Sequence, residues 1–155
     1  MALRRGKPRR LALGVNAARR RTVTENLCLV EMGLETRLKT QVSKLSGGQR
    51  QAMSLLMATI AQPRLLLLDE HTAALDPKVA ATIMQLTDRL VTERRLTTLM
   101  VTHNMDLALR HGNRLIMMHA GRIILDVQED EKRQLTVPGL VQKFHEVAGE
   151  AFTTD

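Results

Sequence analysis

The chain has 155 residues, 44% of them hydrophobic and 25% charged, with a formal net charge of +7 and one cysteine. This length suits a domain with a real core. The longest purely aliphatic run, Leu65 to Leu68, is far short of the roughly 20 residues of a membrane span. No apolar core follows the basic start as a secretory signal requires. Cys28, alone, cannot close an internal disulfide and points to a reducing compartment.

The positive charge is local. Arg4, Arg5, Lys7, Arg9, Arg10, Arg19, Arg20 and Arg21 precede the first acid, Glu25, and the remainder holds 15 basic against 16 acidic residues. Charge runs are ordinarily solvated faces; an anionic membrane surface, a nucleic acid and a transit peptide are the other readings. Trp and Tyr are absent and Phe144 and Phe152 are the only Phe residues, so stacking platforms for single strands are missing. Gly6, Pro8 and Gly14 interrupt the long amphipathic helix of a transit peptide.

The first predicted element is a helix over 16–32, with apolar spacing at Val23, Leu27, Val30 and Leu34. A polar linker over 39–44 leads to Ser46 and a helix over 48–61, apolar on most sides through Ala52, Met53, Leu55, Leu56, Met57 and Ile60. Pro63 ends it. Residues 64–68 read as a short strand buried in a parallel sheet. Asp76-Pro77 is an N-cap with a first-turn proline, opening a helix to about Arg94. A second buried strand covers 96–101, a short helix 104–110, and a hairpin forms around Ala120-Gly121 from strands 115–119 and 122–127. Thr136 caps a last helix to about Val147. Strands alternating with helices predict an α/β layered domain.

Three motifs sit on these elements. LSGGQRQ (Leu45 to Gln51) places Ser-Gly-Gly at a helix start, where unpaired backbone amides, a hydroxyl and the absence of side chains suit an anion. LLLLDE (Leu65 to Glu70) ends a strand in two acids, at the end of an open α/β sheet where ligands bind. One acid can hold Mg²⁺ through water, and the other can orient and deprotonate a water attacking a phosphoryl group. VTHN (Val101 to Asn104) puts His103 after the second strand, as a candidate donor to developing phosphate charge. His71, His111, His119 and His145 show no metal-ligand spacing with one another or with Cys28. The nine methionines fall in apolar stretches as core filler.

In these motifs, with TAALDP (Thr72 to Pro77) as a fourth, the chain resembles the later part of an ABC-type ATPase, the ATP-binding subunit of ABC transporters, from near Asn16 to about Val127. LSGGQRQ matches the family signature, LLLLDE its Walker B strand, TAALDP its D-loop and VTHN its switch histidine. LLMAT, DEHTAALDP and TTLMVTHNM are similar to a bacterial branch of tryptophan/tyrosine-type importers. The resemblance implies a partial P-loop NTPase (ABC ATPase) fold, with a mostly parallel core sheet flanked by helices and part of the helical subdomain. Residues 1–62 then form the basic arm and remainder of that subdomain, and 63–155 the C-terminal part of the ATPase core.

The resemblance also implies roles. Ser46, Gly47, Gly48 and Gln49 touch the γ-phosphate of ATP held by the opposite subunit of a head-to-tail dimer. Asp69 serves the Mg²⁺ shell through water, Glu70 is the catalytic base, His103 contacts the γ-phosphate and attacking water, and Asp76 passes signals across the dimer seam. Membrane permease subunits, a second ATP-binding subunit and a solute-binding protein are the implied partners, at the cytoplasmic side of the inner membrane; no specific nucleic acid is expected. Basic residues of the helical subdomain then face anionic lipid.

Two departures from the pattern stand out. His71 occupies a position where most members carry proline. No phosphate-cradling GxxxxGK(S/T) loop is present: Gly6-Lys7 is followed by Pro8, and Met1 stands where the first glycine belongs. The adenine-stacking aromatic and Q-loop glutamine are missing with it. The chain is therefore expected to be a fragment that turns over no ATP alone and exposes apolar sheet edges. The alternatives are a catalytically dead short subunit completing a partner's site, or a soluble ABC-type ATPase acting on nucleic acid with salt-sensitive binding.

Overall fold

The computed structural model describes residues 17–151, with side chains over 20–147. Arg4, Arg5, Lys7, Arg9 and Arg10 of the basic arm and the Gly6-Lys7 pair lie outside the described residues. Two compact units meet in sequence at Val101 and Thr102.

The first unit holds helices α1 (Ala17–Cys28), α2 (Gly47–Thr59) and α3 (Pro77–Arg94) and strands β1 (Leu65–Asp69) and β2 (Thr97–Val101). Helix α1 stops earlier than the apolar spacing predicts. Glu31 and Gly33 adopt left-handed backbone (φ 55° and 69°), which a helix cannot continue through. The chain then re-enters through a short 3-10 turn, Leu34–Arg37. Val30 and Leu34 still reach the core, so their spacing marked burial rather than helix. Helix α3 begins as predicted: the Asp76 carboxylate accepts the Val79 amide at 3.1 Å, and Pro77 fills the first position, where no amide hydrogen is needed. It ends at Arg95, left-handed at φ 50°.

β1 and β2 pair in parallel, with Leu65 opposite Thr97, Leu67 opposite Leu99 and Asp69 opposite Val101. Leu27, Val30, Leu34, Leu45, Ala52, Leu55, Leu56, Leu66, Leu68, Ile83, Leu86, Leu90 and Leu96 form one core. The strands are not buried on both faces as their apolar runs predict. Leu66 and Leu68 face the core, whereas Leu67 is 64% and Leu99 52% exposed, beside exposed Leu65 and Val101. Alternation sends neighbouring side chains to opposite faces, and among the described residues only one face is covered. Helix α2 is likewise buried on one side, with Ala52, Leu55 and Leu56 inward and Met57 exposed.

A polar clip holds the three helices together. Arg94 donates to the Thr59 hydroxyl at 3.0 Å and to the Asn26 side-chain carbonyl, joining α3 to α2 and α1. Burial pushes its guanidinium below the ordinary arginine value. Arg20 and Arg21 are exposed on α1, and Arg21 pairs with Glu25 one turn on at 3.1 Å.

The second unit contains α4 (Met105–Arg110), β3 (Arg114–His119), β4 (Arg122–Gln128), α5 (Glu129–Gln134) and α6 (Val137–Ala151). Asn104 caps α4 by accepting the Leu107 amide at 3.1 Å, and the Thr136 hydroxyl accepts the Gly139 amide at 3.3 Å at the start of α6. β3 and β4 form the predicted antiparallel hairpin, with a bulge between Met117 and Met118. Its two loop residues, Ala120 and Gly121, are both left-handed (φ 46° and 76°), the backbone that matches strand twist. Apolar periodicity does not predict helix α5, which lacks an apolar stripe. Its signal is charge order: Glu129, Asp130 and Glu131 in the first turn, Lys132 and Arg133 in the last, complementing the helix dipole. Lys132 is buried and donates to the carbonyls of His111 and Gly112 just past α4; burial lowers its pKa.

Arg114 and Asp126 meet across the hairpin in two hydrogen bonds of 2.8 and 2.6 Å. Those hydrogen bonds, with the guanidinium charge, hold the Asp126 carboxyl below its ordinary 3.8. A depressed folded-state pKa means stabilisation that is present above the unfolded value and lost as pH falls through the folded one. NMR titration is expected to place Asp126 below 3.8, and Arg114→Gln to return it to the ordinary range.

Candidate functional site

The signature residues open α2. Ser46 is its N-cap: its hydroxyl accepts the Gln49 amide at 3.2 Å, and its own amide donates to the Gln49 side-chain carbonyl at 3.1 Å. This reciprocal pair is a capping box. Because the Ser46 oxygen accepts here, its proton remains available to donate to an anion. The first-turn amides of Gly47 and Gly48 have no intrahelical acceptor, so the helix start offers donors and the positive end of its dipole together.

The four residues then diverge. Ser46 and Gly47 are exposed and Gly48 is buried. A Cβ on Gly48 would stand 2.3 Å from Val79 Cγ1 on α3, whereas one on Gly47 would meet Leu75 Cδ2 at 3.6 Å. Gly48 is thus required by a close helix–helix approach, and Gly47 is the glycine open to a ligand. Gln49 spends its side-chain amide on the Met32 carbonyl at 3.1 Å, joining the signature to the chain after α1. No local sequence signal marks Met32 or Val79 for these roles, since each contact spans many residues.

The acids lie at the carboxyl end of β1. Asp69 is its last residue and Glu70 follows, both exposed. The Glu70 amide donates to the Val101 carbonyl at 3.0 Å, and its carbonyl accepts the Ala73 amide at 3.0 Å. Glu70 is left-handed at φ 40°, a conformation found mostly in turns and at functional sites and costing about 1–3 kcal/mol. The Leu75 amide donates to the Thr72 carbonyl at 3.2 Å, and the turn closes into Asp76, whose carboxylate caps α3. His71, half-buried, places Nε2 3.2 Å from the Thr87 hydroxyl. Ser46 to Gln49, Asp69, Glu70 and Asp76 therefore all belong to the first unit.

His103 belongs to the second unit and is exposed, two residues past β2. The Asn104 amide donates to the Thr102 hydroxyl at 3.0 Å, fixing the bend around it. Among the described residues no three His, Cys, Asp or Glu side chains form a metal-binding group. Mg²⁺ makes no such demand: it keeps waters and takes one or two carboxylates plus phosphate oxygens. An exposed carboxylate at a strand end, as at Asp69, fits that chemistry.

The ABC transporter family model matches residues 6–73. The tyrosine transport ATP-binding protein of Clostridioides difficile (strain R20291) is 52% identical over 115 residues, covering 74% of this chain and 46% of that protein. The methionine import ATP-binding protein MetN of Xylella fastidiosa is 38% identical over 96 residues, covering 62% of this chain and 29% of that one. The aliphatic sulfonates import ATP-binding protein SsuB of Burkholderia ambifaria is 42% identical over 100 residues, covering 64% and 31%. The chain thus spans less than half the length of these relatives. Among solved structures, an inward-facing ABC transporter of metal-chelate type matches with a TM-score of 0.71 at 23% identity, over 88% of this chain and 52% of that one. The ADP conformation of an ATP-binding cassette of an ABC transporter matches at 0.70 and 23%, over 87% and 53%. At such identities the structural likeness concerns the fold, and the fold is that of ABC ATPase domains.

Substituting each signature glycine separates their roles. Gly48→Ala is expected to lose about 1–3 kcal/mol in chemical denaturation, the usual range for overpacking, and Gly47→Ala to change stability by less than about 1 kcal/mol.

Proposed function

The chain belongs to the ABC transporter ATP-binding family, and from that premise we propose that it contributes the signature helix and acidic strand end to an ATP-hydrolysing subunit driving solute import through a membrane permease. The observation that carries the reading is the gathering, in one compact unit, of a donor-rich helix start at Ser46 and Gly47 and a carboxylate pair at the end of a parallel strand. One suits a γ-phosphate; the other suits Mg²⁺ and a nucleophilic water.

The roles divide by chemistry. Ser46 Oγ–H and the Gly47 amide donate to γ-phosphate oxygens of ATP. Asp69 would hold Mg²⁺ through water; the ion, when bound, neutralises phosphate charge. Glu70 accepts the proton of the attacking water. His103 donates to the charge that develops on the phosphoryl oxygens. Gly48 and Gln49 act by fixing the helix start, and Asp76 by joining the acidic turn to α3.

The chain contains no GxxxxGK(S/T), so on this reading the loop that cradles the phosphates comes from outside these 155 residues. Two such subunits then enclose ATP head to tail, against a permease and with a solute-binding protein. No described helix is long and apolar enough to cross a membrane; on this reading the chain attaches peripherally, through the permease, on the cytoplasmic face. The tyrosine in the name of the C. difficile relative makes an aromatic amino acid the cargo we favour. The relatives' names speak of transport, which favours this reading over action on nucleic acid.

The test is ATP turnover in an assembly of this chain with a polypeptide that supplies the family's phosphate loop. Glu70→Gln is expected to lower turnover at least about 100-fold, the scale of general-base removal, while ATP binding persists. Turnover equal to wild type in that variant would remove Glu70 from the mechanism.

A further inference from the structure

The turn carrying Glu70 is held by its neighbour. Thr87 is buried on α3, and its single hydroxyl proton goes to the Ile83 carbonyl at 2.8 Å. Its oxygen can therefore only accept from His71 Nε2, which lies 3.2 Å away. The network thus assigns a hydrogen to Nε2, and the bond exists in both the neutral Nε2–H tautomer and the imidazolium.

This bond falls one residue beyond a strained position. Glu70 is left-handed at φ 40°, and its amide and carbonyl are both engaged, with Val101 and Ala73. Such a conformation lasts only where its surroundings over-determine it. The backbone bonds fix the start of the turn, and the Asp76 cap fixes its end on α3. His71 adds a side-chain anchor between them, 11 residues into the same helix at Thr87. α3 is also the helix whose Val79 receives Gly48 of the signature. One rigid element therefore sets the positions of the signature glycine and of the acidic turn.

We propose that His71 is a positioning residue for Glu70: by donating from Nε2 to the Thr87 hydroxyl it ties the left-handed acidic turn to α3 and fixes where the carboxylate stands. The role in hydrolysis rests on the ATPase reading above; the anchoring itself does not.

Amide hydrogen exchange on the chain tests the anchor without any activity. His71→Ala and Thr87→Val are expected to speed exchange of the Glu70 amide roughly fivefold, the scale of one net hydrogen bond, with Leu90 in α3 unchanged. Thr87→Ser keeps the acceptor and His71→Gln keeps a donor near the Nε2 position, so both are expected to retain the wild-type rate. An unchanged Glu70 rate in Thr87→Val, or equal acceleration at Glu70 and Leu90, overturns the proposal. In the assembly with a phosphate-loop partner, His71→Ala and Thr87→Val are expected to lower kcat about fivefold with KM for ATP unchanged, restored in His71→Gln and Thr87→Ser. Full kcat in Thr87→Val, with Glu70→Gln inactive, also overturns it. If wild type and Glu70→Gln turn over ATP alike, the ATPase reading falls instead, and the exchange rates still decide the anchor.

Discussion

Much of the first unit depends on how closely the start of α2 approaches the start of α3. Interiors are packed so tightly that one methyl group is felt, and here there is no room for even one: a Cβ on Gly48 would overlap Val79. With Gly47 beside Leu75, the two helix starts, capped by Ser46 and Asp76, are drawn into register. The donor amides at the start of α2 and the end of the acidic turn are thereby referred to one contact.

Polar groups secure the frame where apolar burial alone leaves orientation loose. Arg94 reaches α1 and α2 from the end of α3, and Lys132 reaches the carbonyls past α4. In both cases a cation is taken partly out of water, which costs free energy unless its donors are engaged. Each binds neutral acceptors fixed by backbone or helix geometry, so the charge acts as a directional clamp rather than as half of an ion pair. Exposed pairs such as Arg21–Glu25 contribute little by comparison.

What could be read in the sequence is what is written locally. Asp76-Pro77, Thr136 and Ala120-Gly121 each specify a cap or turn within a few residues, and the structure forms all three. The acids after β1 and the serine-glycine helix start were also visible, because their chemistry is contiguous. Three features escaped for a common reason. The left-handed break at Glu31 and Gly33, the Gly48–Val79 approach and the His71–Thr87 bond are decided by what lies across space. Periodicity reports that a residue is buried without saying against what, which is why the apolar spacing through Val30 and Leu34 carries the predicted helix past its end at Cys28.

The uncovered face of β1 and β2 bears on thermodynamics as well as on shape. Leu65, Leu67, Leu99 and Val101 are already half or more hydrated in the folded chain, so unfolding brings comparatively little fresh water to them. Since the heat capacity of unfolding scales with newly wetted apolar surface, these side chains add little to it. The chain's stability curve is correspondingly shallow, and whatever comes to cover this face would steepen it.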